Sequence, residues 1–232
     1  MNYNNSYNAI MEINMSKFNI KGAIFDLDGT LLNSMDYWAS VGEEFLSLSG
    51  IEPPAGSSRL FLENGIKGAH KIWQETLGLA KSFEQTYSEI YALMEKKYLS
   101  VVNIKDGARE MLEDLRERGV KMCIASATDH YLVEKILKRL CLDHLFSKIL
   151  TCSEVGAGKN KPLIYELALE HLGTPRDETY VFEDAYYALT TAHENGFHTI
   201  GVYDKNVFVP EAQILPLCDF YLDKDSKYKL PF

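Results

Sequence analysis

An apolar run that breaks on two carboxylates, one residue apart, constrains this chain more than any other feature. Residues 24–34 read Ile-Phe-Asp-Leu-Asp-Gly-Thr-Leu-Leu-Asn-Ser. Apolar residues that run into Asp-x-Asp-Gly predict a short buried strand ending in a turn. Alternate side chains of a strand share a face, so a backbone that stays extended through Leu27 brings Asp26 and Asp28 together at the strand's C-terminal end. That end is where open α/β sheets bind ligands. One carboxylate of such a pair can attack phosphorus while the other gives a proton to the leaving oxygen and later takes one from water.

The second half of the chain supplies a sheet for that strand. From Asp106 onward the pattern predicts a helix at 106–118, a strand at 120–125, a helix at 129–140 and a strand near 148–151. A helix at 161–172, a strand at 179–182, a helix at 186–195, a strand at 197–202 and a short strand near 218–222 follow. Alternation of this kind implies an α/β fold, a Rossmann-like doubly wound parallel sheet covered on both faces. Residues 35–102 break the pattern, with three helical stretches near 36–49, 58–78 and 83–99 and no convincing strand. In the third, Phe83, Tyr87, Ile90, Tyr91, Met94 and Tyr98 recur at helical spacing and read as a packing stripe. The expected organisation is therefore an α/β core domain from 17–34 and 103–232, interrupted by a small all-helical domain at 35–102. Residues 1–16, polar and Asn-rich, read as a flexible extension.

Composition narrows the partners. Twenty-four basic against 33 acidic residues give a net charge of -9, which argues against general nucleic-acid binding or attachment to an anionic membrane. An anionic substrate would need positive charge supplied locally. No apolar run approaches the roughly 18–20 residues of a membrane span, and the first residues lack the basic and apolar stretches of a secretory signal, so a cytoplasmic location is expected. Cys123, Cys141, Cys152 and Cys218 form no CxxC pair and have no His at ligand spacing, so they read as small apolar thiols.

Three more strand ends carry polar groups suited to phosphoryl transfer. The strand ending at Ala125 delivers Ser126, Ala127 and Thr128 just before a helix, where a hydroxyl, free backbone N–H groups and a helix N-terminus together suit an oxyanion. The loop Gly158-Lys159-Asn160-Lys161-Pro162 offers two lysines, either of which could neutralise a nucleophile and a phosphoryl group; its spacing does not match a P-loop. The strand at 179–182 ends in Glu183 and Asp184, which beside Asp26 and Asp28 would make an oxygen-rich site for a hard cation, Mg2+ first among them.

These four strings together resemble the haloacid dehalogenase superfamily of Mg2+-dependent phosphotransferases over residues 20–222, and Asp-Leu-Asp-Gly-Thr-Leu-Leu-Asn-Ser is the most specific of them. The resemblance implies that Asp26 is a nucleophile forming an aspartyl-phosphate and Asp28 the general acid and base. It implies that Ser126 and the Ala127 N–H hold the phosphoryl oxygens, beside Thr128, and that Lys159 neutralises charge. Asp26, the backbone carbonyl of Asp28 and Asp184, helped by Glu183, would bind Mg2+. The helical insertion would be a small cap over the site, with Trp38, Asn64, Lys67 and His70 as candidate specificity residues. Asp28 and the Glu183-Asp184 pair argue against the superfamily's metal-free dehalogenases.

Within the superfamily the chain is most similar to the branch holding small-metabolite phosphatases and β-phosphoglucomutase. The mutase usually carries a His where this chain has Trp38, and Lys-Asn where it has Asp129 and His130. An acidic Asp129 would not help to grip a second phosphate. The expected activity is hydrolysis of small phosphate monoesters; a hexose-phosphate mutase is the alternative, and a catalytically silent metabolite-binding protein a third reading. The expected partner is a small phosphorylated metabolite, with no nucleic acid and no membrane, and the chain a monomer or weak homodimer.

Overall fold

The computed structural model describes residues 19–231, and the extension expected at 1–16 lies outside the described residues. Six parallel strands form one sheet: β1 (Gly22–Phe25), β2 (Lys121–Ser126), β3 (Ile149–Thr151), β4 (Thr179–Glu183), β5 (His198–Val202) and β6 (Phe220–Leu222). Their order is β3-β2-β1-β4-β5-β6. The chain steps outward from β1 to β3, then returns to lay β4 on the other side of β1. The crevice between β1 and β4 is therefore the point where the winding reverses, the usual ligand position in such a sheet. Both strands are buried along their whole length, as the centre of a sheet covered on two faces requires.

The period-2 alternation of the strands sorts their side chains between two cores. Phe25, Ile124 and Phe182 face α4 (Ala108–Glu117) and α5 (His130–Arg139), with the Phe25 and Phe182 rings stacked at 4.3 Å. Ile24, Cys123 and Val181 face α7 (Leu163–Leu172) and α8 (Tyr186–Glu194) through Ile164, Tyr165, Ala168, Leu172 and Ala192. Each of these large apolar side chains contributes about 1.5–3 kcal/mol by leaving water. Two four-residue helices, α6 (Cys152–Val155) and α9 (Glu211–Ile214), were not expected, because one turn is too short to show a helical period.

Between β1 and β2 lie α1 (Met35–Leu48), α2 (Ser57–Leu77) and α3 (Phe83–Ser100), packed on one another. Trp73 joins them, stacked on Phe45 at 5.7 Å and on Phe61 at 5.9 Å. A capping box starts α3: the Ser82 hydroxyl accepts from the Gln85 N–H while the Gln85 side chain accepts from the Ser82 N–H. The spacing predicts one continuous helix over 58–78, but α2 breaks at Gly65, whose φ of 61° and ψ of -178° only glycine adopts readily. No helix among the described residues is long and apolar enough to cross a membrane.

Candidate active site

Register carries the nucleophile candidate to its partners. Phe25 lies opposite Phe182, and the Asp26 N–H donates to the Phe182 carbonyl at 2.9 Å, so Asp26 leaves β1 alongside Glu183 and Asp184 at the end of β4. Lys159, from the loop before α7, inserts its Nζ between them. It pairs with Asp26 Oδ1 and lies 2.7 Å from Glu183 Oε2. Lys161, the other lysine of that loop, is exposed. All four members of the cluster are buried: Asp26 is 7% exposed, Lys159 3%, Glu183 1% and Asp184 3%. Thr30 Oγ1 donates to Asp184 Oδ1 at 3.0 Å, and the Ala185 N–H donates to Glu183 Oε1 at 3.1 Å.

The charges of this cluster do not balance. Burial, then the neighbouring Glu183, push the Asp26 carboxyl up to about 7 against the opposing pull of Lys159. Burial and the same carboxylates push Asp184 well above its ordinary range. Burial works against the charge of Lys159, but Asp26 and Glu183 outweigh it and keep the ammonium protonated far above neutrality. The one buried ammonium is thus paired with Asp26 and Glu183, while Asp184 is offset by the charge of Lys105. One oxygen from each of Asp26, Glu183 and Asp184 lies within 4.8 Å of the others, with no nitrogen or sulfur ligand among them. An all-oxygen, electron-rich donor set of this kind fits a hard divalent cation.

Asp28 lies just past the end of β1, where a turn begins. The strand stops at Phe25, and the chain turns, with the Leu31 and Leu32 N–H groups both donating to the Leu27 carbonyl at 2.9 Å. The Asp26 N–H still pairs with β4, and the turn bends the chain sharply at Gly29, just past Asp28. The turn needs Gly29: its φ is +85°, and a Cβ there would collide with the Asp184 carboxylate. Asp28 Oδ1 accepts from Ser34 Oγ at 2.6 Å and from the Tyr98 hydroxyl, and Asp28 Oδ2 accepts from Thr128 Oγ1 at 2.7 Å. Ser126 ends β2 fully buried, its Oγ accepting from the Thr128 N–H at 3.0 Å.

A cleft of about 850 Å3 opens over this floor, and Asp26, Asp28, Ala127, Thr128, Lys159, Glu183 and Asp184 line it. Trp38, Asn64 and Lys67 stand in its walls. His70 does not: it is buried among the helices, its Nδ1 3.1 Å from Thr86 Oγ1 and its ring edge-on to Phe83. A polar residue on a helix gives no local sign of which way it faces, and here the face is the interior. Sequence reasoning also passed over Thr30, Ser34 and Tyr98. Thr30 and Ser34 lie within the string 24–34 and were open to notice, whereas Tyr98 was absorbed in an aromatic stripe and carries no local signal of its contact with Asp28.

Comparison with known proteins bears on the whole constellation. A sequence profile of the haloacid dehalogenase-like hydrolases matches residues 20–196. The chain is 24% identical over 181 residues to a phosphorylated carbohydrates phosphatase of Thermotoga maritima, covering 78% of this chain and 84% of that protein. It is 26% identical over 212 residues to validoxylamine A 7'-phosphate phosphatase of Streptomyces hygroscopicus subsp. limoneus, covering 91% and 97% of the two. The fold matches that of CbbY from Rhodobacter sphaeroides, solved in complex with phosphate, with a TM-score of 0.77, 19% identity and coverage of 89% and 95%.

Proposed function

The chain belongs to the haloacid dehalogenase-like hydrolases, and from that premise we propose that it is a Mg2+-dependent phosphatase of small phosphate monoesters acting through a phosphoryl group carried on Asp26. The observation that carries this reading is the Asp26 carboxylate, paired with a buried lysine at the floor of an open cleft and flanked by Glu183 and Asp184. An Asp26 oxygen attacks phosphorus, the bond from phosphorus to the leaving oxygen breaks, and that oxygen takes a proton from Asp28. Water then attacks the aspartyl-phosphate, gives its proton to Asp28, and phosphate leaves as the Asp26 carboxylate is restored.

Lys159 favours the anionic, nucleophilic form of Asp26 against burial and offsets charge on the phosphoryl oxygens. The Ser126 hydroxyl and the Ala127 N–H, beside Thr128, receive those oxygens at the end of β2. Mg2+ held by Asp26, the Asp28 backbone carbonyl and Asp184, with help from Glu183, would screen the repulsion between an anionic nucleophile and an anionic phosphate. Residues 35–102 act as a cap that excludes water, and Trp38, Asn64 and Lys67 in its walls meet the leaving group. The relatives named as phosphatases favour the same activity for this chain.

Asp129 favours hydrolysis over a mutase. Its Oδ2 accepts from the Tyr87 hydroxyl at 2.6 Å and its Oδ1 from Ser153 Oγ at 3.0 Å, so this carboxylate ties α3 to α6 and offers no positive charge to a second phosphate. The test is phosphate release from a panel of phosphorylated metabolites, with Mg2+ and with chelator, for the wild type and Asp26→Asn. Release that needs both Mg2+ and Asp26 is expected. No release from any substrate would sink the reading and turn attention to a mutase, assayed with a bisphosphate activator.

A further inference from the structure

Three hydroxyls surround the Asp28 carboxylate, and one of them cannot turn away. Tyr98 donates to Asp28 Oδ1, and the Tyr98 oxygen in turn accepts from Trp38 Nε1 at 3.0 Å. An indole N–H only donates, so the phenol oxygen is taken as an acceptor on that side and its own proton is left to point at Asp28. The indole is itself fixed, with its ring edge-on to Tyr91 at 5.9 Å and to Tyr98 at 6.5 Å. Ser34 and Thr128 are aliphatic hydroxyls free to reverse direction, as donor or acceptor, when the carboxyl gains a proton. Tyr98 is not.

From this geometry we propose that Tyr98, aligned by Trp38, is a positioning residue that commits Asp28 Oδ1 to accepting and leaves Oδ2 as the oxygen that exchanges a proton with the leaving group. The proposal rests on the phosphatase reading above. A proton on Oδ1 would have to turn toward Ser34 Oγ and would weaken that oxygen as the acceptor of the fixed Tyr98 O–H. A proton on Oδ2 meets only Thr128 Oγ1, 2.7 Å away, which can turn to accept it. Tyr98 is fully buried, and burial followed by the nearby Asp28 pushes its phenol well above the ordinary range, so it stays a donor throughout. Trp38 lies on α1 and Tyr98 on α3, so the residues that orient the acid both come from the helical insertion. The insertion then does more than cover the cleft: it sets the direction in which Asp28 delivers its proton.

In the first step the bond from phosphorus to the leaving oxygen breaks as the bond from Asp26 forms, and the electron pair left on that oxygen takes the Asp28 proton. The need for that proton depends on the leaving group. An alkoxide requires it, whereas 4-nitrophenolate leaves readily without it. The experiment compares kcat/KM, which reports the steps up to the first phosphoryl transfer, for an aliphatic phosphate monoester and for 4-nitrophenyl phosphate, in the wild type and Tyr98→Phe. The ratio of aliphatic to aryl kcat/KM should fall about tenfold or more in Tyr98→Phe, within the range a positioned acid supplies. Trp38→Phe, which removes the N–H and keeps a ring, should shift the same ratio in the same direction by a smaller factor, and it serves if Tyr98→Phe does not fold. An unchanged ratio in both variants overturns the proposal and leaves the phosphatase standing. Absence of Asp26-dependent release of phosphate from either substrate by the wild type overturns the phosphatase reading, and this proposal with it.

Discussion

The floor and the walls of the cleft are built on opposite terms. At the floor, Asp26, Lys159, Glu183 and Asp184 are buried, Lys159 pairs with Asp26 and Glu183, and the three carboxyl groups crowd one another, so no charge can be altered without disturbing another. In the walls, Arg59, Asn64 and Lys67 are exposed, and Arg59 lies over the ring of Phe208, itself half-exposed, at 5.2 Å. Exposed side chains act nearly independently, because water screens each from the next. On the proposed function, the floor would fix the chemistry and the walls would be where specificity can vary without disturbing it.

The largest effect should come from breaking the floor at its proposed nucleophile. Asp26→Asn keeps the size and removes the attacking oxygen's charge, and phosphate release should fall by roughly 10^4-fold or more; a residual rate within tenfold of the wild type would show that Asp26 does not carry the phosphoryl group. Next comes Lys159→Met, which leaves Asp26 and Glu183 without their paired cation. Urea unfolding at pH 8 should show a loss of about 3 kcal/mol, since breaking a buried pair leaves buried charge uncompensated. The loss should be smaller at pH 5.5, where Asp26 holds its own proton.

The pH dependence of cation binding sharpens the contrast further. The Asp26 carboxyl is raised from 3.8 to about 7 in the folded protein. Between those values the folded state binds more protons than the unfolded state, so the contribution of this site is greatest below the lower value and is lost as pH rises through about 7. A divalent cation restores what ionisation removes. The rise in Tm on adding Mg2+ should therefore be larger at pH 8 than at pH 5.5, and an equal rise at both would show that the cluster does not take the cation.

The smallest effects separate two neighbours on the same helix. Lys67→Ala in the exposed wall should change stability by less than about 0.5 kcal/mol and raise KM. His70→Ala, which loses the contact with Thr86 inside the helical packing, should cost about 1 kcal/mol in a thermal melt and leave KM as it was. A KM effect from His70→Ala would place that residue back at the substrate.

Much of the fold was legible because it is written in local periods. The alternation of strands and helices after residue 106 gave the parallel sheet, and the boundaries of β2, α5, β4 and β5 fall within about two residues of those the pattern predicts. The helix over 58–78 was read as unbroken, because a glycine inside an amphipathic pattern does not announce whether it bends. The strand-end residues of the candidate site were legible for a different reason. Polar groups that follow a buried apolar strand have little to do locally, so Asp26, Ser126 and the Glu183-Asp184 pair stand out as residues.

The sequence by itself determined which residues sit at the strand ends, because side-chain alternation and the apolar-to-polar break are properties of short segments. Only the tertiary structure decided which ends meet. Laying β4 beside β1 put Glu183 and Asp184 next to Asp26, and the loop before α7 chose Lys159 over Lys161 by burying one and exposing the other. The turn through Gly29, the inward face of His70 and the reach of Tyr98 across 70 residues to Asp28 were settled the same way. Contacts between segments far apart in the chain depend on the order of strands and on how helices pack, and no local pattern encodes either.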